Sequence, residues 1–178
     1  MADANQCRFM KNGAPYEIHP CIEPDLEFTP ERWKEETREG LKRMSARSRW
    51  HRFAAGVNEL SESQLDYLTD VDCKDRVAWC AVIKRDGRYG GIGVSRYVLL
   101  QEEDDVAEFA VTVIDEFQEQ GVGRALLEQL VRSAWENEVR VLRGYVFRDN
   151  GRMLALAKRM GGASSLEEAF VRIEIPVK

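Results

Sequence analysis

Apolar positions along this 178-residue chain fall into two rhythms, short runs and helical stripes. Val77-Ala-Trp-Cys-Ala-Val-Ile is a run short enough for a buried strand. Asp86-Gly87 then turns the chain, and Gly91 to Leu100 returns it. Glu102-Glu-Asp-Asp reads as an acidic turn and Val106 to Ile114 as the next strand, so the three strands predict an antiparallel meander. Leu126, Leu127, Leu130, Val131, Ala134 and Trp135 follow the i, i+3, i+4, i+7 spacing of one buried helix face. Val141 to Phe147 is a further strand. A strand–helix–strand unit of this size implies parallel pairing with a right-handed crossover.

Helix-start signals extend the pattern. Thr29-Pro30 opens a helix to about Met44, because threonine caps well and proline suits the first helical position. Ser45 to Phe53 reads as a second turn or short helix. Ser61-x-x-Gln64 is a capping box for a helix through about Leu68. Asn150 caps a helix through Met160 that Gly161-Gly162 ends. Phe170 to Val177 alternates with period two, as a final strand does. Tyr16 to Ile22 reads as a short edge strand, since Pro20 is tolerated at an edge or an end. Residues 1–15 are polar, with Gly13 and Pro15, and are expected to be loose. The sum is one α/β domain over 1–178, with a mixed central sheet of six or seven strands and helices on both faces.

Composition narrows the function. With 44% hydrophobic and 32% charged residues the chain is globular rather than disordered. A net charge of −5 argues against nucleic acid as partner, because neutralising phosphates needs surplus lysine and arginine. Lys42, Arg43, Arg47, Arg49 and Arg52 form a basic cluster, read as a solvated helical face in preference to a patch for an acidic partner or a phosphate. No apolar run reaches the ~20 residues of a membrane span. Cys7, Cys21, Cys73 and Cys80 form no C-x-x-C pair, and His19 and His51 stand alone, so no metal site is expected. Free thiols and an N-terminus without a leader pattern give a cytoplasmic expectation.

The chemistry concentrates after the third meander strand. There Gln118, Glu119, Gln120, Gly121, Val122, Gly123 and Arg124 join a strand to a helix. Such a junction gathers backbone N–H groups at the positive end of a helix dipole, where a phosphate or pyrophosphate belongs. Arg124-Ala125 after Gly123 excludes a P-loop, which needs Lys-Ser/Thr. Leu126 stands where a dinucleotide fingerprint needs its third glycine. Gly91-Ile-Gly93 lacks that glycine too, and marks a close backbone approach inside a strand. An acyl-CoA pyrophosphate loop, Gln-x-x-Gly-x-Gly between a strand and an amphipathic helix, remains. In it Arg124 can add a charge-assisted contact.

The match then widens. Ser48-Arg-Trp-His-Arg-Phe, Leu60-Ser, Leu65, Leu68-Thr-Asp-Val-Asp72, Gly93-Val-Ser-Arg-Tyr97, Ala107-Glu-Phe-Ala-Val111 and Asp149-Asn-Gly-Arg-Met-Leu-Ala-Leu-Ala-Lys-Arg-Met-Gly161 follow one pattern. Over roughly residues 41–177 the chain resembles the bacterial protein-lysine acetyltransferases of the Pat type, within the GNAT superfamily. The resemblance implies a GNAT-like fold, acetyl-CoA as donor and an exposed protein lysine as acceptor, with no metal. It implies that Val111 and Val113 offer backbone groups to the pantetheine arm. It places Gln118 to Arg124 on the pyrophosphate and Asn150 near the CoA arm, and Glu108 where these enzymes carry a catalytic glutamate. Its departures are Ala157 at the position of a tyrosine acid and Gly162 at that of an aromatic residue.

Glu108 also stands out without the resemblance. It is the one carboxylate between Val106 and Ile114. A charge in such a strand is costly unless it is paired or used. A lysine ammonium, pKa ~10.4, must lose a proton before its nitrogen attacks a thioester, and a nearby carboxylate can take it. The blander reading puts Glu108 on the solvent face or beside a buried arginine. A small-amine acceptor and a non-catalytic acyl-CoA-binding module are the alternatives to a protein substrate. Oligomeric state is not legible.

Overall fold

The computed structural model describes residues 7–21 and 29–178. Ile22, and the first six residues of the segment expected to be loose, lie outside them. The described chain forms one sheet of eight strands in the order β1-β2-β3-β4-β5-β6-β8-β7. The strands are β1 Arg8–Phe9, β2 Pro15–Pro20, β3 Arg76–Arg85, β4 Arg88–Leu100, β5 Glu103–Val113, β6 Val141–Phe147, β7 Ala163–Leu166 and β8 Phe170–Pro176. The helices are α1 Pro30–Lys42, α2 Ala46–Phe53, α3 Glu62–Thr69, α4 Val122–Glu136 and α5 Gly151–Arg159.

Eight strands exceed the six or seven expected; those without a sequence signal are β1 and β7, two and four residues long and the shortest in the sheet. β1 folds back on β2 through a turn at Gly13, whose φ of +84° suits glycine. Met10 is buried there, so this part of the segment expected to be loose is packed. β7 follows Gly162, where a Cβ would meet the Ala157 carbonyl oxygen at 2.9 Å and Ile175 at 3.1 Å. An aromatic side chain has no room at that position, which accounts for the departure noted above.

Thr29, Ser61 and Asn150 cap their helices as the sequence predicts, each accepting a backbone N–H, and Ser61 with Gln64 completes the capping box; Ser45 does the same for α2. The β3–β4 turn places Asp86 and Gly87 at φ +51° and +79°, the sign pattern of a type I′ hairpin. The expected acidic turn is narrower than predicted. Gln101 and Glu102 make it, while Glu103 opens β5 and binds Arg143 at 2.5 Å and 3.0 Å.

α4 and α5 cover one face of the sheet and α1 to α3 the other. Leu127, Leu130 and Ala134 of α4 pack with Tyr97, Ala107, Phe109 and Leu142, and Ala157 of α5 joins them. Trp135, expected in the buried stripe, is 54% exposed and lies beside Arg140, with 5.9 Å from guanidinium carbon to ring. It points away from the side of that turn that Ser133 and Ala134 bury, with Val131 half-buried at the margin.

The four-free-thiol expectation is corrected. Cys21 and Cys80 are joined, with 5.4 Å between their Cα atoms, while Cys7 and Cys73 are free and exposed. The partners are 59 residues apart, and only the pairing of β2 on β3 brings them together. The bond removes the free-thiol premise of the cytoplasmic expectation.

Candidate active site

β5 and β6 run parallel, but they pair only from Val106–Val141 to Glu108–Arg143. Beyond that point β5 stays on β4 as far as Val113, and β6 stays on β8 as far as Phe147. The sheet therefore forks immediately after Glu108. Ile114 donates its N–H to Ile92 on β4, and Asp105 accepts from Arg140 on the other side. Backbone direction alternates along a strand, so the even-numbered residues of β5 bond toward β4 and the odd ones face the fork. Val111 and Val113 thus present main-chain groups to the opening.

Gln118 braces the mouth of the fork. Its side-chain amide donates to the Val113 carbonyl at 3.0 Å and to Ser48 Oγ at 3.2 Å, and it accepts from Arg152 at 2.6 Å. The loop then bends through Glu119 at φ +61° and Gly121 at φ +95°. Gly121 is the N-cap of α4 and supplies no capping side chain. The first helical bond is Ala125 N–H to the Gly121 carbonyl, so the N–H groups of Val122, Gly123 and Arg124 have no intrahelical partner. Gly123 sits close to Val113 and Leu156, the nearest atoms to a built Cβ being at 3.5 Å and 4.0 Å. Gln120 holds the loop from outside, accepting Lys11 N–H on its carbonyl and Asn12 N–H on its side chain, both at 3.2 Å. The N-terminal hairpin is what makes that support possible.

The cations are placed differently from the expectation. Arg124 is turned along its own helix to Glu128 at 2.7 Å. Arg152 of α5 is the cation on the loop, touching Gln118 and Glu119. It was missed because it lies in another element, although its place two residues after the cap Asn150 was visible. Asn150 accepts Met153 N–H at 3.2 Å on its side-chain oxygen, leaving its amide nitrogen unpartnered among the described residues.

α2 closes over the fork and is tied on both sides. On the β5 side Asp115 accepts Ser45 N–H at 3.0 Å, Ser45 Oγ–H at 2.6 Å and Ser48 Oγ–H at 3.0 Å. Burial alone would raise the Asp115 pKa, but these bonds outweigh it and hold it below its ordinary value. On the β6 side Asp149 receives His51 at 3.0 Å and Arg47 at 3.4 Å, while Trp50 stacks on Phe147 at 5.6 Å. The His51 bond, then its charge and that of Arg47, lowers the Asp149 pKa. Arg43 reaches Glu116 at 3.3 Å and Arg49 the Met44 carbonyl at 3.1 Å. Four of the five basic residues are therefore held by partners within the chain rather than forming a simple solvated face, and Arg52 lines a cavity beside Arg96.

Glu108 lies at the vertex of the fork, on the face opposite α4. It is exposed and makes no hydrogen bond or ion pair among the described residues. Its register partner Arg143 is already held by Glu103 and Glu174. Arg52 and Arg96 act on it electrostatically from the same face. A site with an anion loop at one end, an open strand edge, and a free carboxylate at the other suits an extended thioester donor.

The match to known proteins agrees with this geometry. The model of the acetyltransferase (GNAT) family matches residues 43–162. The chain belongs to the GNAT acetyltransferase family. An acetyltransferase of Pseudomonas aeruginosa is 34% identical over 107 residues, covering 60% of this chain and 57% of its own length. The acetyltransferase Pat of Mycolicibacterium smegmatis is 26% identical over 171 residues, covering 94% of this chain and 48% of its own. This chain therefore spans 57% and 48% of those two relatives. The GNAT domain of S. lividans PAT superposes with a TM-score of 0.81 at 25% identity, covering 99% of this chain and 98% of that one. GNAT enzymes take their acetyl group from acetyl-CoA, and the fork, the uncapped α4 terminus and the small Gly123 fit such a donor. Among the described residues no group of side chains is arranged to hold a metal ion, and no helix is long and apolar enough to cross a membrane.

Proposed function

We propose that this domain is an N-acetyltransferase that moves an acetyl group from acetyl-CoA to the side-chain amine of a protein lysine, with Glu108 as general base. The observation that carries the reading is the unpaired edge of β5 between an uncapped helix terminus and an unpartnered carboxylate. Val113 and Glu108 are five residues apart on an extended strand, a span of roughly 16 Å. A pantetheine arm laid along that edge joins the two ends.

The backbone N–H groups from Gly121 to Arg124, with Arg152 beside them, bind the diphosphate. Val111 and Val113 orient the arm, and the Val111 N–H is the donor available to the thioester oxygen. Glu108 takes the ammonium proton directly or through one water, which frees the nitrogen to attack. The sulfur leaves as a thiolate, a good leaving group, so the buried Ala157 is no obstacle. A protein lysine is favoured as acceptor by the likeness to Pat-type proteins, and because Glu108 stands exposed where a side chain can reach it from solvent.

Glu108→Gln keeps the shape and removes the proton acceptor. General bases contribute about 10²–10⁴-fold, so kcat for a lysine-bearing protein substrate should fall about 100-fold or more with CoA affinity retained. CoA release with mass detection of acetyl-lysine measures it, and unchanged turnover would sink the base assignment. Transfer only to small amines would favour the small-amine reading. Tight CoA binding with no transfer at all would favour a binding module.

A further inference from the structure

Below Glu108, on the face that α1 to α3 cover, the chain forms a partly open cavity of about 100 Å³. Its walls are mainly apolar, from Trp33, Leu41, Met44, Phe53, Leu60 and Leu68. Its floor is not. Arg96 of β4 is 94% buried by side-chain and backbone together (6% exposed), and its Nη1 and Nη2 have no hydrogen-bond partner among the described residues. The Thr112 hydroxyl on the same floor is buried and unpartnered too. Arg52 enters from α2 and makes no hydrogen bond or ion pair among the described residues.

Register explains why these groups converge. Arg96 is opposite Ala110, Val94 opposite Thr112 and Val98 opposite Glu108. Paired and alternate residues share a face, so Arg96 lies diagonally between Glu108 and Thr112. Ala110, with only a methyl group, leaves the gap that the guanidinium occupies. Tyr67 of α3 covers it from above at 4.8 Å. Buried arginine is rare unless paired, and its planar fork of donors matches a carboxylate. Glu36 also lines the cavity, but its carboxylate accepts the Gly91 N–H at 2.9 Å, at the α1 end. Burial lowers the pKa of both arginines, Arg52 to about 10, the charge of Arg96 adding to its fall. Glu108 acts on both cations and Asp70 on Arg96, but only through space: among the described residues no carboxylate hydrogen-bonds either guanidinium, which leaves their donors open to an anion.

We propose that Arg96, Arg52 and Thr112 form a subsite for a carboxylate of the acceptor, so that the preferred substrate carries an acid close to the amine presented to Glu108. The inference rests on the acetyltransferase reading above and adds the acceptor chemistry. The space has room for a carboxylate and a short stem. The acid is an aspartate or glutamate beside the target lysine, or the carboxylate of a small amino acid.

Two arms of one experiment separate those sources. Acetyl transfer is measured on peptides whose lysine is flanked by glutamate or by glutamine, and on ω-aminopentanoate and ω-aminopentanamide. The acid-bearing member of at least one pair should have the higher kcat/KM by about tenfold, mostly through KM. Arg96→Gln or Arg52→Gln should bring that ratio toward one, and Arg96→Lys should restore part of it. The responding pair identifies the source, and measurable but equal rates within both pairs would overturn the proposal. Binding is read separately by NMR of the arginine Nε–H groups in the intact wild-type domain with CoA, titrated with ω-aminopentanoate and with the glutamate-flanked peptide. Saturable shifts at Arg96, absent with the amide and the glutamine peptide, support the subsite even if no acceptor is acetylated. In that case the acetyltransferase reading fails alone. No shift with either acid would refute the subsite whatever the turnover.

Discussion

Replacing Gly123 with glutamate tests the anion loop at its narrowest point. A Cβ built there lies 3.5 Å from Val113 and 4.0 Å from Leu156, which is ordinary contact, so alanine fits without strain. Alanine also favours a helix over glycine by about 1 kcal/mol. The longer glutamate side chain cannot continue inward between Val113 and Leu156, and turns into the space in front of the α4 terminus. There its charge opposes the diphosphate. At about 5 Å, with an effective dielectric of roughly 20–80, each pair of unit charges costs about 0.8–3.3 kcal/mol. Two phosphate charges double that to about 2–7 kcal/mol, a loss of tens-fold to above ten-thousand-fold in affinity. Gly123→Gln has nearly the same bulk without the charge, so the glutamate–glutamine difference isolates the electrostatic part, which should shrink as salt rises. Calorimetric titration with CoA gives the affinities, and thermal melting shows that each variant is folded. A folded Gly123→Glu protein that keeps micromolar CoA affinity would refute the loop assignment.

Further outcomes follow from the clamp and the cysteines. Asp115→Asn should weaken the bonds that tie α2 to β5, costing about 1–2 kcal/mol at neutral pH after allowance for partial exposure, as measured by chemical denaturation. Because the folded pKa of Asp115 lies below its unfolded value, its contribution is present above pH ~3.9 and is lost as pH falls through the folded value. The wild-type protein should thus lose more stability than Asp115→Asn across that acid window, and parallel curves would contradict the clamp. Thiol titration of the unreduced protein should find Cys7 and Cys73 in the native state and no more after unfolding; Cys21 and Cys80 should appear only with reductant. Closing a loop with a sequence separation of 59 is worth about 4 kcal/mol in the chain-entropy account, so reduction should lower stability by up to that amount. Four reactive thiols without reductant would exclude the bond.

Some elements were legible because their signals are local. The Ser61–Gln64 box, the Asp86–Gly87 turn, β6 and the stripe of α4 each arise from contacts within a few residues, and each was found close to its predicted place. The glycine loop belongs with them, since a helix terminus leaves its N–H groups free whatever it packs against. β1 and β7 escaped because strands of so few residues carry no period. Trp135 misled because helical spacing does not fix how wide the buried side is: the core takes Ser133 and Ala134 and stops short of it. The site divides in the same way. Glu108 and Gly121-Val122-Gly123 could be chosen from the chain, whereas Arg152, Arg96 and Thr112 each come from a different element and had no shared signal.

By itself the amino-acid order determined the succession of strands and helices, the loop able to hold an anion and the carboxylate beside it, because those follow from backbone geometry over short separations. Tertiary structure alone decided that β5 and β6 part company at Glu108, that Cys21 meets Cys80, that α2 is pinned by Asp115 and Asp149, and that two arginines line one cavity. Those features depend on register and on the packing of residues tens of positions apart, where no periodicity connects one partner to the other.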